Sequence, residues 1–318
     1  MAKHYNLAPT TDTLHGFFSK DLDPVIEIES GDTVVFETLD SAWGIEKRPA
    51  LGKTRPKFTN IKPHRRPEHF GHALVGPVYI NGAKPGQVLE ITINNIVPGT
   101  WGWTSAGGFK SYWNEKMALE QEPEVMLDFA IDYENNVAFS QFHNFSYNLK
   151  VNPFMGIMGM PPPIAGNHST IVPRPWGGNI DCKELQAGSK VYFPIPVKGC
   201  LFSTGDGHAV QGDGEVSGPG LECPMKEVNF TFNIIDDMEL TMPRAKTNTG
   251  WITMGFHENL EEAMWIALNE MVHFISSLYN IERTEAYALA SLVVDLRITQ
   301  IVNTVKGVHA VLPFDSIR

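Results

Sequence analysis

The sequence predicts a mainly β protein, a β-sandwich-like body followed by an α+β C-terminal segment. Three observations carry that reading. Period-two alternation of apolar and polar residues dominates the earlier part of the chain, glycine and proline interrupt it throughout, and helical spacing sets in only near Asn259. The body is accordingly assigned to residues 1–245 and the appended segment to residues 246–318.

Taken in order, the stretch "VIEIESGDTVVFETL" (Val25 to Leu39) reads as two strands around a Ser-Gly-Asp turn. From Val88 to Val97, Leu89, Ile91 and Ile93 share one face against polar neighbours. In "EVNFTFNII", Val228, Phe230, Phe232 and Ile234 alternate with Glu227, Asn229, Thr231 and Asn233, the clearest half-buried strand in the chain. Beyond Asn259, the residues Leu260, Met264, Ala267, Leu268, Met271, Ile275 and Leu278 recur at helical spacing. Asn259 suits the cap of that helix, and the acids that follow suit the positive end of its dipole. A second helix is expected over Thr284 to Leu296.

Composition narrows the function classes. With 42% hydrophobic and 19% charged residues, the 318-residue chain can bury a large core and is not disordered. A net charge of -11 argues against a nucleic-acid partner, which needs a basic face. Three widely spaced cysteines, Cys182, Cys200 and Cys223, make neither a disulfide framework nor a CxxC zinc ribbon. The first residues lack the charged and apolar regions of a signal peptide, and no apolar run approaches the roughly 20 residues that span a bilayer. The expectation is a cytoplasmic protein with no membrane partner.

Chemistry concentrates in two stretches. "GDGHAVQGDGEV" (Gly205 to Val216) has almost nothing apolar to bury, yet carries three carboxylates and a histidine. In an extended backbone Asp206 and His208 point to one side, and Gly212 and Gly214 permit a bend that returns Asp213 or Glu215 to the same point. Carboxylate with imidazole suits zinc, iron or manganese; carboxylates alone suit calcium. A solvated glycine-rich turn is the plain alternative. In "PWGGNIDC" (Pro175 to Cys182), Asn179 and Asp181 stand two apart, the first suited to orient an amide and the second to bind a metal. Both are also ordinary turn residues.

Five further histidines are weaker candidates. His72 lies in a small-residue setting before a strand, His15 and His168 lie beside polar residues, and His273 is assigned to packing within the helix. His64 falls in the basic stretch "KPHRRPEH", read as a solvated loop. The chain has no GxSxG elbow, no GxxxxGK[ST] phosphate loop, no GxGxxG after a strand and no HExxH helix. Cys182 follows Asp181 directly, so its side chain is expected to face away from the metal side, in apolar surroundings that raise its pKa.

Together these stretches resemble the acetamidase/formamidase family. The resemblance rests on "TTDTLHGFFSKDLDPVIEIESGDTVVFETLDS", "GHALVGPVYINGAKPGQVLEI", "NPFMGIMGMPP", "GGNIDCKELQAGSKVYFPI" and "GDGHAVQGDGEV", in order along nearly the whole chain. It implies hydrolysis of short aliphatic amides to carboxylate and ammonia by an oligomeric enzyme, here taken as a homodimer. On that basis Asp181, Asp206 and His208 are the expected metal ligands, with His72 as a fourth. Glu215 and Asp181 are the expected catalytic carboxylates, Glu215 carrying the proton, and Asn179 and Gln211 orient a small amide substrate. The metal is expected to be zinc, with calcium as the alternative. The stretch "PFMGIMGMPPP" is expected to wall the pocket. Two other readings stay open: a non-catalytic β-sandwich holding calcium through Asp206, Asp213 and Glu215, and a hydrolase of a larger amide or carbamoyl compound.

Overall fold

The computed structural model describes residues 2–50, 52–66 and 71–318. Among these residues the frame is two sheets, of nine and eleven strands. The nine-stranded sheet runs His4–Leu7, Thr33–Thr38, Met225–Ile235, Val88–Pro98, Lys190–Pro194, Arg244–Lys246, Gly250–His257, Lys306–Pro313 and Asp295–Gln300. The eleven-stranded sheet includes, as consecutive neighbours, Trp101–Ala106, Glu222–Cys223, Cys200–His208, Phe154–Gly159 and Gly177–Asn179. The mainly β expectation holds, with the two long helices in the C-terminal region.

The alternating stretches form strands where their periodicity places them. Val228, Phe230 and Phe232 turn inward from Met225–Ile235, while Glu227, Asn229, Thr231 and Asn233 stay partly open. The stretch from Val25 to Leu39 divides between the sheets. Ile26–Ile28 pairs in parallel with Leu74–Ile80 of one sheet, and Thr33–Thr38 lies between His4–Leu7 and Met225–Ile235 in the other. Phe36, Phe230 and Phe232 from one sheet meet Phe202 from the other, all fully buried, with centroids 5.1–6.4 Å apart in tilted and edge-on pairs. Such pairs add about 0.5–1.5 kcal/mol each beyond their buried area, so this aromatic cluster locks one sheet onto the other.

The C-terminal segment extends the same frame. The expected boundary after residue 245 falls inside the strand Arg244–Lys246, and strands on both sides of it share the nine-stranded sheet. Helix α1 (Tyr112–Lys116) is a single short turn; α2 (Leu260–Tyr279) lies on the strands Gly250–His257 and Lys306–Pro313, and α3 (Arg283–Val293) packs against α2. Asn259 caps α2, its side chain accepting from the amides of Glu261 and Glu262 at 2.8 and 3.3 Å. Ala263, Ala267, Met271 and Ile275 pack on Val308, Ala310 and Leu312.

Three details differ from the sequence reading. His273 is exposed on the outer face of α2, so it does not pack. Leu278 is also open, in the last turn of the helix, whereas Phe274 is buried against Trp251 and Arg244. The second helix stops at Val293 instead of reaching Leu296. The β-branched pair Val293 and Val294 favours extended backbone, and Leu296 enters the strand Asp295–Gln300 on Lys306–Pro313. His64 is exposed, but the stretch is not a solvated loop throughout: Arg65 is buried, donating to the carbonyls of Gly76 at 3.0 Å and Asp23 at 2.8 Å, and residues 67–70 lie outside the described residues.

Candidate active site

Strand pairing sets the centre of the site. His208 ends the strand Cys200–His208, with Phe154 opposite it on one neighbour and Glu222 opposite it on the other. Directly paired residues share a face, so the Glu222 carboxylate arrives with Oε1 2.8 Å from His208 Nε2. Asp206 Oδ1 stands 3.6 Å and Glu215 Oε1 3.9 Å from the same nitrogen. The Phe154 ring meets the imidazole edge-on at 5.1 Å and 85°, which fixes its plane.

Turns bring in the remaining groups. Past the short strand Gly177–Asn179, the amides of Ile180 and Asp181 donate to the Gly156 carbonyl at 2.9 and 3.2 Å, and Asp181 turns toward His208. Gly156 must be glycine, because a Cβ there would lie 2.6 Å from Asp181 Oδ1 and 2.7 Å from Asp206 Oδ2. At Gly214, φ is +93°; its amide donates to Thr299 O at 3.1 Å and its carbonyl accepts from Ile301 at 3.0 Å. That anchored bend turns Glu215 inward. Asp213 goes outward instead, to Arg297 at 2.6 Å and Lys183 at 2.9 Å. The calcium set of Asp206, Asp213 and Glu215 therefore does not form, because two cations hold Asp213 at the surface.

The backbone at Asp206 is not extended, as the two-residue alternation had assumed. Asp181, Asp206 and Glu215 all adopt left-handed φ, at 55°, 59° and 49°. Conformations of this kind cost on the order of 1–3 kcal/mol each and persist where the surroundings impose them. Three such carboxylates converging on one histidine mark a built site.

The electrostatics call for a cation. Asp181, Asp206, Glu215 and Glu222 are all buried around His208, and neither ring nitrogen of His208 has a partner in hydrogen-bond geometry. Asp181 Oδ1 and Glu222 Oε2 are likewise unpartnered. Burial raises Asp181 and Glu215 well above the usual carboxylate range, reinforced by Asp206 and Asp181 respectively, and it raises Glu222 as well. For Asp206, burial is outweighed by His72 and His208, which hold it low. For His208, burial disfavours the charged ring, but Glu222 and Asp206 override it and raise the pKa well above 6.5. So many buried acids, with Asp181 Oδ1, Glu222 Oε2 and both His208 ring nitrogens lacking hydrogen bonds, fit a bound metal better than a self-sufficient polar cluster. Two overlapping donor sets are close enough to hold one: Asp181, His208 and Glu215, and Asp206, His208 and Glu222, each with its donor atoms within 4.8 Å.

The cluster opens into a cavity of about 360 Å³. Asp206, Glu215 and Glu222 reach it, with His72, Asn179 and Asn303 around them and Trp103, Phe109 and Trp113 forming an aromatic wall. The His72 amide and Nδ1 both lie 2.9 Å from Thr170 Oγ1, which sets the ring at the cavity edge. Asn179 Nδ2 donates to Ile171 O at 3.4 Å, while its buried Oδ1 has no partner. Gln211 lies behind Asp181, donating to its carbonyl at 2.9 Å, and lines a neighbouring cavity of about 220 Å³ with Glu215. The stretch "PFMGIMGMPPP" does not wall the 360 Å³ cavity. Phe154–Gly159 is a fully buried strand, and Met155, Met158 and Met160 belong to the main core.

Glu222 and Asn303 escaped the sequence reading, although both line the cavity and Asn303 reaches Asp181 Oδ2 at 3.4 Å. Glu222 had one visible signal: a lone carboxylate between Leu221 and Cys223, where a buried strand leaves no room for an idle charge. Asn303 had none. His15 is structural, lying 2.8 Å from Phe17 O and 2.9 Å from Ser203 Oγ, and His168 is half-buried, its backbone bridging to Phe18 and its Nε2 3.1 Å from Ile164 O.

The family model described as the acetamidase/formamidase family matches residues 3–166 and 163–317, nearly the whole chain. This chain belongs to the acetamidase/formamidase family. Its likeness to acetamidase from Bacillus halodurans covers 97% of both chains, with a TM-score of 0.81 and 29% identity. Among curated relatives of the family, acetamidase of Mycolicibacterium smegmatis is 46% identical over an alignment covering 46% of this chain and 49% of that protein. A protein of Schizosaccharomyces pombe with a provisional formamidase name is 28% identical over 64% of this chain and 60% of its own length. The match thus spans about half to three-fifths of the length of these two curated relatives. No helix among its described residues is long and apolar enough to cross a membrane.

Proposed function

We propose that this chain hydrolyses short aliphatic amides, formamide and acetamide first, to carboxylate and ammonia, with the help of a divalent metal. One observation carries the reading: His208 Nε2 is ringed by Glu222, Asp206 and Glu215 without a hydrogen bond, in a buried cluster open to a cavity. Asp206, His208 and Glu222 would hold the ion, with Asp181 beside His208 and His72 as a further candidate ligand from the cavity edge. Imidazole among carboxylates favours zinc, whereas calcium prefers oxygen alone. A metal in such a set polarises a carbonyl and lowers the pKa of water from 15.7 toward about 7. Glu215 then takes the proton from the attacking water and delivers it to the departing amine, from its position on the cavity wall. Asn179, with its free Oδ1, accepts from the amide nitrogen and aims the carbonyl. Gln211 supports this geometry through the Asp181 backbone, a positioning role.

The test is ammonia release from formamide and acetamide by protein purified without chelator, stripped of metal, and reloaded with zinc. Activity should vanish on stripping and return on reloading. Full turnover by protein shown by elemental analysis to be metal-free would overturn the reading.

A second reading, a larger amide or carbamoyl substrate for the same bond cleavage, is favoured by the cavity itself. About 360 Å³ with an aromatic wall of Trp103, Phe109 and Trp113 lies within the range that accepts drug-sized ligands. A panel running from formamide to benzamide decides between the two by kcat/KM. We further propose that the chain works as a homodimer in the cytoplasm. The exposed Trp265 and Tyr287 on α2 and α3 support the first, and three buried free cysteines support the second.

A further inference from the structure

Asp181 and Cys182 are chain neighbours whose side chains belong to different clusters. Asp181 faces His208, whereas Cys182 meets Glu184 and His309, a grouping that the amidase chemistry above does not use. The thiol was expected in apolar surroundings, and Cys182 does belong to the main buried apolar cluster, where burial raises its pKa; its Sγ also lies 3.4 Å from Glu184 Oε2, and the same oxygen lies 3.4 Å from His309 Nε2. Cys182 is 0% and His309 1% exposed.

The outer atoms of this group are already occupied. His309 Nδ1 lies 2.7 Å from Thr299 Oγ1, and Glu184 Oε1 lies 2.6 Å from Arg297, which also holds Asp213 at 2.6 Å. The bracing leaves Nε2, Oε2 and Sγ to face one another, all within 4.8 Å. Nε2 is buried and has no hydrogen-bond partner. A thiol simply donating to the carboxylate accounts for the sulfur–oxygen contact but leaves Nε2 orphaned, at a cost of about 1–3 kcal/mol. A nucleophilic thiol needs access to substrate, and Cys182 has no exposed surface.

The spacing matches coordination. With zinc–sulfur bonds of about 2.3 Å and zinc–nitrogen or zinc–oxygen bonds of about 2.0–2.1 Å, a tetrahedron sets sulfur and oxygen about 3.5 Å apart and nitrogen and oxygen about 3.4 Å apart. The two measured edges are both 3.4 Å. We propose that Cys182, Glu184 and His309 form a second metal site, distinct from the His208 cluster, for a borderline-soft divalent ion such as zinc.

The charges balance. The thiol gives its proton to solvent as the metal–sulfur bond forms, and thiolate plus the Glu184 carboxylate neutralise the dication, with no oxidant or reductant involved. Thr299 Oγ1, 2.7 Å from His309 Nδ1, is able to accept from Nδ1–H, the tautomer that leaves Nε2 as the ligand atom. Bound metal ties the turn carrying Asp181 to the terminal strand Lys306–Pro313. The site is structural, and it positions Asp181 for the first cluster.

Cobalt(II) is the probe. Metal-stripped wild-type protein loaded with cobalt(II) should show a thiolate-to-cobalt charge-transfer band and bind about one equivalent more than Cys182→Ser, which should lack the band. His309→Gln should lose the band too; it keeps every thiol, so its result stands even if Cys182→Ser does not fold. Asp206→Asn, altered only in the first cluster, should keep it. Circular dichroism checks folding throughout. Cobalt-loaded wild type without a thiolate band, or a band surviving Cys182→Ser, overturns the proposal. Neither result bears on whether the His208 cluster hydrolyses amides.

Discussion

His208 Nε2 stands 2.8 Å from Glu222 Oε1, a contact made because the two residues are directly paired across adjacent antiparallel strands. Removing the charge while keeping the shape tests what that contact is for. Glu222→Gln should fold normally, lose metal affinity or turnover by more than the roughly 10–100-fold typical of residues that only support a ligand, and keep a melting temperature close to wild type. Metal titration beside ammonia-release kinetics checks it; wild-type metal affinity in the variant would leave Glu222 a merely structural acid.

Glu215 is expected to carry the proton, so its loss should act on rate. Glu215→Gln should bind metal and substrate nearly as well as wild type while kcat falls about 10²–10⁴-fold, the usual contribution of a general acid–base group. Steady-state kinetics separate the two parameters. A variant whose KM rises while kcat is unchanged contradicts the assignment.

Gly156 supports two carboxylates from beneath. A methyl group there would meet Asp181 Oδ1, Asp206 Oδ2 and, at 2.9 Å, the Asp206 carbonyl, which is backbone and cannot swing aside. Gly156→Ala should therefore lose metal binding together with about 1–3 kcal/mol of stability, the usual cost of overpacking. Urea unfolding with elemental analysis reads both, and unchanged metal content would refute the close fit.

His15 gives a pH dependence away from the metal cluster. Burial lowers its pKa from 6.5 to about 3, outweighing the Phe17 carbonyl contact. The unfolded chain takes up this proton below pH 6.5 and the folded chain does not. The associated stability is thus fully present above pH 6.5 and is lost as pH falls toward 3. Relative to His15→Gln, wild type should lose about 2 kcal/mol more between pH 7 and pH 5. Parallel urea titrations at the two pH values measure the difference; equal losses would mean that His15 titrates normally when folded.

The proposed dimer predicts a mass by light scattering of roughly twice the 35.4 kDa chain. Trp265→Glu, on the exposed face of α2, should shift it toward the monomer if that face is the interface. A single-chain mass for wild type across working concentrations removes the dimer.

The strands, the capped helix and most of the acidic and imidazole residues of the site were determined by local sequence, because periodicity, caps and glycine-rich turns act between residues close in the chain. Phe230 and Phe232 alternate inward whatever sheet receives them, and Asn259 caps its helix without help from elsewhere. Even Glu215 was legible, since Gly214 two residues after Gly212 announces the bend that turns it inward. What decided the site was strand pairing. Glu222 meets His208 only because their strands are neighbours, Asn303 reaches Asp181 across 122 positions, and His309 meets Cys182 from the last strand of the fold. Pairing partners and register are set by the burial of whole sheet faces, a property of the assembled chain that no short stretch encodes. The same cause sent Asp213 outward. Its neighbours give it the same freedom as Glu215, and the cations that hold it, Arg297 and Lys183, are brought together only by the folded sheet.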